Sequence, residues 1–96
     1  MTNQEIVERK KKEILEIATS NGVTKISLFG SAVRREDKEN SDIDFLVEFD
    51  EGRSLFDLIQ LKHELEELLQ KPVDVVTKNA LHQRIREQII LEAVQL

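Results

Sequence analysis

The chain has 96 residues, of which 40% are hydrophobic, and four phenylalanines are its only large aromatic side chains, so it can form one domain with a largely aliphatic core. It contains no cysteine, which excludes disulfides and thiolate metal sites. Its net charge of -5 argues against an extended nucleic-acid surface, because such a surface needs basic residues to displace phosphate counterions. No apolar run approaches the roughly 18 to 20 residues that span a bilayer, and the first residues lack the apolar core of a signal peptide. We therefore expect a single cytoplasmic domain over residues 1–96 that does not enter a membrane.

The first residues of the chain predict a helix followed by a strand. Thr2 and Glu5 have the three-residue spacing of a capping box, and apolar residues of helical period continue to about Asn21. Gly22 favours the end of that helix, because glycine readily adopts the left-handed conformation. Residues 23–29 are rich in apolar side chains and predict the first strand.

The next segment predicts a short helix, a polar loop and the clearest strand of the chain. Gly30 ends the first strand and begins a helix that we expect to reach about residue 35, and residues 36–41 form a polar loop. The second strand is expected over residues 43–49, because four apolar residues alternate on one face. They are Ile43, Phe45, Val47 and Phe49.

The second half of the chain predicts a helix, a strand and a last helix. Ser54 and Asp57 resemble a capping box, and leucines follow at helical spacing. These leucines are Leu55, Leu58, Leu61, Leu65, Leu68 and Leu69. Residues 72–77 predict the third strand, with proline at its edge. Asn79 is expected to cap the last helix, which runs from Ala80 to near the C-terminus.

The last helix carries two sets of apolar residues. One set forms a core stripe of helical period: Leu81, Ile85, Ile89 and Ala93. The other set points in several directions: Ile90, Leu91, Val94 and Leu96. Two interpretations stay open for the second set, which either packs against the first helix or forms an exposed patch that binds another subunit or a partner protein.

The alternation of helices and strands predicts an α/β (α+β) domain in which four helices pack on a small three-stranded mixed sheet. Strands one and two are expected to be antiparallel. Strands two and three are expected to be parallel, because a helix connects them in the way that a right-handed crossover requires.

Two aspartates lie one residue apart at the start of the second strand. Side chains at i and i+2 of a strand share a face, so Asp42 and Asp44 project together, opposite Ile43 and Phe45. Two adjacent carboxylates repel each other, and Mg²⁺ satisfies both because it prefers oxygen ligands. An isolated Asp-x-Asp is more often a solvent-facing pair on an edge strand, so this pattern alone does not decide.

Four further residues strengthen a ligand-binding interpretation. Gly30 and Ser31 lie at the start of a helix, where free N–H groups attract phosphate, and Arg34 lies on the same side as Ser31. Asp74 stands between valines near the start of the third strand, where parallel pairing places it beside Asp44. The ordinary alternatives are a turn for Gly30-Ser31 and a solvent-facing edge position for Asp74.

These residues together resemble the nucleotidyltransferase superfamily related to DNA polymerase beta. The family pattern is Gly-Ser, a spacer of about ten residues, Asp-x-Asp and a third acid on a later strand. Here it matches Gly30-Ser31, Asp42-Ile43-Asp44 and Asp74. The stretch "SDIDFLVEF" is especially similar to the minimal nucleotidyltransferases, small proteins often paired with a HEPN-domain protein.

The resemblance implies transfer of a nucleoside monophosphate, with ATP as the expected donor, and release of pyrophosphate. Asp42 and Asp44 would hold two Mg²⁺ ions that clamp the triphosphate. Asp74 would complete the second metal site and help deprotonate the attacking hydroxyl.

Gly30, Ser31 and Arg34 match the family pattern, but the residues next to them depart from it. Gly30 and Ser31 would hold the β- and γ-phosphates, and Arg34 would offset their charge. Family members often read Gly-Ser-x-Ala-Arg-Gly, whereas this chain reads Gly-Ser-Ala-Val-Arg-Arg, so Arg35 replaces a common glycine and leaves the shape of the next loop open.

Three functions remain open on the sequence. The resemblance implies an enzyme that modifies a partner protein, with a HEPN-domain toxin as the partner in a toxin-antitoxin pair. The alternatives are a non-catalytic antitoxin that neutralises its partner by binding, and a transferase for a small molecule. A homo-oligomer is also compatible with the sequence. His63 and His82 lie outside the motif and are expected to be surface helix residues.

Overall fold

The computed structural model describes residues 2–30, 33 and 42–96, which form helices packed on a mixed sheet. The elements in chain order are α1 (Asn3–Arg9), α2 (Lys11–Ser20), β1 (Val23–Phe29), β2 (Ile43–Phe49), α3 (Leu55–Leu69), β3 (Val73–Thr77), a 3-10 turn (Lys78–Ala80), α4 (Gln83–Glu92) and β4 (Val94–Gln95). The strand order across the sheet is β3-β2-β1-β4. None of the helices in these residues combines the length and apolar character needed to cross a membrane.

The pairing of the first three strands is as predicted. β1 and β2 are antiparallel, and β2 and β3 are parallel with α3 as the connection. The predicted α+β class with a mixed sheet is therefore confirmed, whereas the predicted number of three strands is wrong. Of the short helix expected after Gly30, the structure describes Val33, which is helical and donates its N–H to Gly30 O at 3.1 Å. The other residues of that helix and of the polar loop lie outside the described residues.

The N-terminal helix is divided where the sequence predicts one continuous helix. Its start is confirmed, because Thr2 Oγ1 accepts a hydrogen bond from the backbone N–H of Glu5 at 3.1 Å. Lys10 leaves helical geometry, with φ of -106° and ψ of 13°, and separates α1 from α2. Lys10 lies among four consecutive basic residues, and no glycine or proline marks the break in the sequence.

The start of α3 is confirmed in detail. The backbone N–H of Ser54 donates to Asp57 Oδ2 at 2.8 Å, and Ser54 Oγ accepts from the N–H of Phe56 at 3.2 Å. Leu61, Leu65 and Leu69 are buried as expected, but Leu55, in the first turn of α3, is 68% exposed.

The C-terminal segment differs most from the sequence-based expectation. α4 begins at Gln83, and His82 caps it by accepting the N–H of Arg84 at 3.2 Å on Nδ1, so the predicted cap at Asn79 is wrong. The helix ends at Glu92 and the chain turns into β4, which pairs with β1. Two residues of strand are enough, because they satisfy free backbone groups on the edge of β1.

Each face of the sheet carries its own apolar cluster. The larger cluster packs under α1, α2 and α3 and includes the fully buried Ile43, Phe45 and Val47. The smaller cluster joins Phe29, Leu46 and Leu81 with the half-buried Val76, Ile89 and Ala93 on the face covered by α4. The predicted core stripe of the last helix is wrong at Ile85, which is 47% exposed.

Candidate functional site

The three predicted carboxylates lie at one edge of the sheet, where β2 and β3 begin. Asp42 directly precedes β2 and is exposed, Asp44 is the second residue of β2 and is half-buried, and Asp74 is the second residue of β3 and is exposed. Asp44 and Asp74 are direct partners in the parallel pair. Parallel pairing with this register places both side chains on the same face, about 5 Å apart at their Cα atoms.

The face that carries Asp44 is the one covered by α4. Ile43 and Phe45, the neighbours of Asp44 in β2, are buried in the large cluster on the opposite face. Leu46, two residues beyond Asp44, belongs to the small cluster under α4. The carboxylates therefore lie beside an apolar cluster, on one side of a well-packed strand that fixes their backbone positions.

Gly30 closes the site from the side of β1. Phe29, the last residue of β1, is the direct partner of Asp44, so Gly30 follows at the same edge. Gly30 has a positive φ of 79°, and a Cβ built on it would collide with Asp44 Oδ2 and lie 3.2 Å from Asp44 Cγ. The carboxylate of Asp44 thus occupies the space that any other residue at position 30 would fill, a contact that the sequence motif does not reveal.

Ser31 and Arg34 lie outside the described residues, so their proposed contacts with phosphate stay predictions. Among residues 2–30, 33 and 42–96, no three His, Cys, Asp or Glu side chains form a group that could hold a metal ion. The structure gives the shared edge of the three carboxylates and the register of Asp44 against Asp74, and their metal-binding role also stays a prediction.

The donor set of this edge is chemically suited to Mg²⁺. Mg²⁺ takes oxygen ligands and commonly combines one or two carboxylates with substrate phosphates and water. Asp44 and Asp74 supply carboxylates from neighbouring strands. The lack of a side chain at Gly30 leaves room for the Asp44 carboxylate beside the end of β1. The two histidines do not contribute, since His63 is exposed on α3 and His82 caps α4.

Arg86 is a half-buried cation on α4 that the sequence motifs do not indicate. Arg86 donates an Nη2 hydrogen bond to Leu81 O at 3.3 Å, and its buried Nε has no acceptor in the described part of the chain. No spacing pattern in the sequence distinguishes Arg86 from the exposed Arg84 on the same helix.

The family model of the nucleotidyltransferase domain matches residues 8–96, nearly the whole chain and all of the site described above. The chain belongs to the nucleotidyltransferase domain family. A Methanocaldococcus jannaschii protein named as a candidate protein adenylyltransferase, MJ0435, is 52% identical to this nucleotidyltransferase over 86 residues, which cover 90% of this chain and 92% of the relative. The protein adenylyltransferase MntA of Thermococcus cleftensis is 43% identical over 91 residues, covering 95% of this chain and 89% of the relative.

Solved structures show the same fold. A candidate minimal nucleotidyltransferase superposes with a TM-score of 0.89 at 40% identity and covers 100% of this chain and 97% of that chain. A toxin-antitoxin complex with AMP-PNP has a TM-score of 0.75 at 24% identity, covering 88% of this chain and 70% of that chain. A complex of a tri-AMPylated Shewanella oneidensis HEPN toxin with its MNT antitoxin has a TM-score of 0.69 at 21% identity, covering 92% and 69%. At these lower identities the two complexes show the fold alone.

Proposed function

We propose that this nucleotidyltransferase transfers AMP from ATP to a hydroxyl group of a partner protein, and that the partner is a HEPN-domain toxin which the transfer neutralises. The observation that carries the proposal is the register that puts Asp44 beside Asp74, with Gly30 against the Asp44 carboxylate. Relatives that are 52% and 43% identical are named as protein adenylyltransferases and match most of this chain, which supports a protein as the acceptor.

Each of the three carboxylates has its own role in the proposed reaction. The hydroxyl oxygen of the acceptor attacks the α-phosphorus of ATP, a new P–O bond forms, and the bond to pyrophosphate breaks. Asp42 and Asp44 would hold two Mg²⁺ ions, which supply charge neutralisation of the triphosphate when they are bound. Asp74 would complete the second metal site and accept the proton that the hydroxyl loses.

The relatives named as protein adenylyltransferases favour ATP as the nucleotide, because adenylylation transfers AMP. The HEPN partner follows from the resemblance to the minimal nucleotidyltransferases, and two complexes of the same fold contain AMP-PNP and an AMPylated HEPN toxin. Docking of a macromolecular partner would supply the orientation that transfer to a protein hydroxyl requires.

Co-expression with a HEPN-domain partner, followed by intact-mass measurement of that partner, tests the proposal. We expect a mass increase of one or more AMP units with the wild-type protein and none with Asp44→Asn. Glu48→Gln is the matched control, because Glu48 lies on the same strand, is exposed and makes only a 3.9 Å ion pair with Lys25. Transfer by Glu48→Gln should equal that of the wild type. A partner that is bound and neutralised without any mass increase would instead establish neutralisation by occlusion.

A further inference from the structure

The side of Gly30 that faces the sheet is filled by the carboxylate of Asp44. A Cβ at position 30 would lie 3.2 Å from Asp44 Cγ and 3.4 Å from Asp44 Cβ, and would collide with Oδ2. Phosphate approach to the backbone explains why a Gly-Ser turn suits a nucleotide site. It does not explain this second contact, which is made with a side chain of the neighbouring strand.

A position can require glycine for its positive φ or because no space is left for a Cβ. Three glycines of this chain have a positive φ and allow the two reasons to be distinguished. The φ values are 78° at Gly22, 79° at Gly30 and 84° at Gly52, so an alanine would meet similar backbone strain at each position. In the part of the chain that the structure describes, a Cβ built on Gly52 would meet no atom within 4 Å apart from those of Gly52 and its two chain neighbours. Gly52 therefore requires glycine for its dihedral angle alone, whereas Gly30 requires it for the dihedral angle and for the space.

A Cβ at position 30 fits only if the side chain of Asp44 rotates away from it. A Cβ on Gly22 would meet the side chain of Arg53, which is long, partly exposed and able to move. Asp44 has a short side chain on a central strand, with Phe29 and Asp74 as its direct partners on either side. Its carboxylate can clear a methyl group at position 30 only by rotating about χ1 or χ2, and either rotation changes the direction of its oxygens.

We infer that Gly30 is a positioning residue that fixes the rotamer of Asp44 and so the direction in which its carboxylate meets a divalent metal ion. The inference rests on the proposed role of Asp44 as a metal ligand. Metal sites tolerate only small displacements of their ligands, and loss of an orienting group commonly lowers metal affinity about 10- to 100-fold. A methyl group at position 30 would displace the carboxylate without removing it.

Mn²⁺ binding in the absence of nucleotide tests the metal-directed part of the inference. The variants are Gly30→Ala and the matched control Gly52→Ala, and the measurement is free Mn²⁺ by electron paramagnetic resonance. We expect Gly52→Ala to bind Mn²⁺ like the wild type and Gly30→Ala to bind it about 10- to 100-fold more weakly. Equal affinity of the two variants would overturn the inference. Absence of Mn²⁺ binding by the wild-type protein would count against the proposed function itself.

A stability cycle tests the contact without any metal. Melting temperatures in EDTA are compared for Gly30→Ala in the wild-type background and in an Asp44→Ala background, where the carboxylate is gone. We expect Gly30→Ala to lower the melting temperature more than Gly52→Ala in the first background and by a similar amount in the second. If Gly30→Ala alone fails to fold while the double variant folds, the contact is supported. An equal loss in both backgrounds, or a double variant that also fails to fold while Gly52→Ala folds, would overturn the inference.

Discussion

Asp74→Asn should raise the stability of this nucleotidyltransferase and lower its activity. Asp74 is the direct partner of Asp44 and forms no hydrogen bond or ion pair with a residue that the structure describes, so the substitution mainly removes charge repulsion. If the charges are as far apart as the paired Cα atoms, about 5 Å, they repel each other by about 0.8 kcal/mol in water. In a domain of this size that gain raises the melting temperature by about 3–6 °C.

Thermal unfolding followed by circular dichroism in EDTA measures the gain, and transfer of AMP to the partner measures activity. We expect the rise in melting temperature at low salt, and we expect it to shrink in 1 M NaCl, where charges are screened within about 3 Å. Activity should fall on the order of 10³-fold or more, because under the proposed function the variant lacks one carboxylate of the metal site. Glu87→Gln, which removes an exposed carboxylate on α4, should change neither quantity. An unchanged melting temperature together with retained transfer would refute the reasoning for Asp74.

Three further outcomes follow from the same structure. Calorimetric titration should show ATP binding that requires Mg²⁺ or Mn²⁺, because the triphosphate and the carboxylates repel each other without a cation, and equal affinity in EDTA would count against the site. The backbone N–H of Ser54, followed by the side chain of Arg53, lowers the pKa of Asp57 below its ordinary value of 3.8. The stability that Asp57 contributes is therefore present above that ordinary pKa and is lost as the pH falls through the lower folded value. In urea unfolding, Asp57→Asn should be less stable than the wild type at pH 7, and the difference should disappear in acid; a constant difference at all pH values would contradict this. Leu96→Ala should lower the free energy of unfolding by about 1–2 kcal/mol, since Leu96 packs on the large cluster, whereas Leu91→Ala, at a site that is 85% exposed, should cost less than about 0.5 kcal/mol; equal losses would contradict the placement of β4.

The part of the fold that forms the site could be predicted because its signals are local and strong. Four alternating apolar residues define β2, and the capping box at Ser54 begins the helix that makes β2 and β3 parallel. Parallel pairing then leads directly to the neighbouring positions of Asp44 and Asp74. Local signals in the sequence were therefore enough to predict that two carboxylates far apart in the sequence lie at one edge of the sheet.

The C-terminal strand could not be predicted, because it depends on contacts far away in the sequence. β4 has two residues, too few for an alternating pattern, and its one apolar residue, Val94, lies at helical spacing from Ile90 and Leu91 of α4. Only the pairing with β1, completed by the hydrogen bond from Leu96 N to Ile26 O at 3.0 Å, makes the extended conformation favourable.

The contact between Gly30 and Asp44 was missed for a similar reason. The Gly-Ser motif indicates a turn and a phosphate site, and both interpretations concern the backbone at Gly30 itself. The collision that a side chain there would cause depends on the register that places Phe29 opposite Asp44. Such a requirement becomes visible only when the strands are paired.

A crystal structure of the protein with Mn²⁺ and a non-hydrolysable ATP analogue tests the central claim most directly. We predict anomalous density for Mn²⁺ in direct contact with carboxylate oxygens of Asp42 and Asp44, close to Asp74, with the phosphates of the nucleotide beside Gly30. A nucleotide bound with its phosphates elsewhere, or Mn²⁺ held without Asp42 and Asp44, would contradict the assignment of this edge of the sheet as the site of transfer.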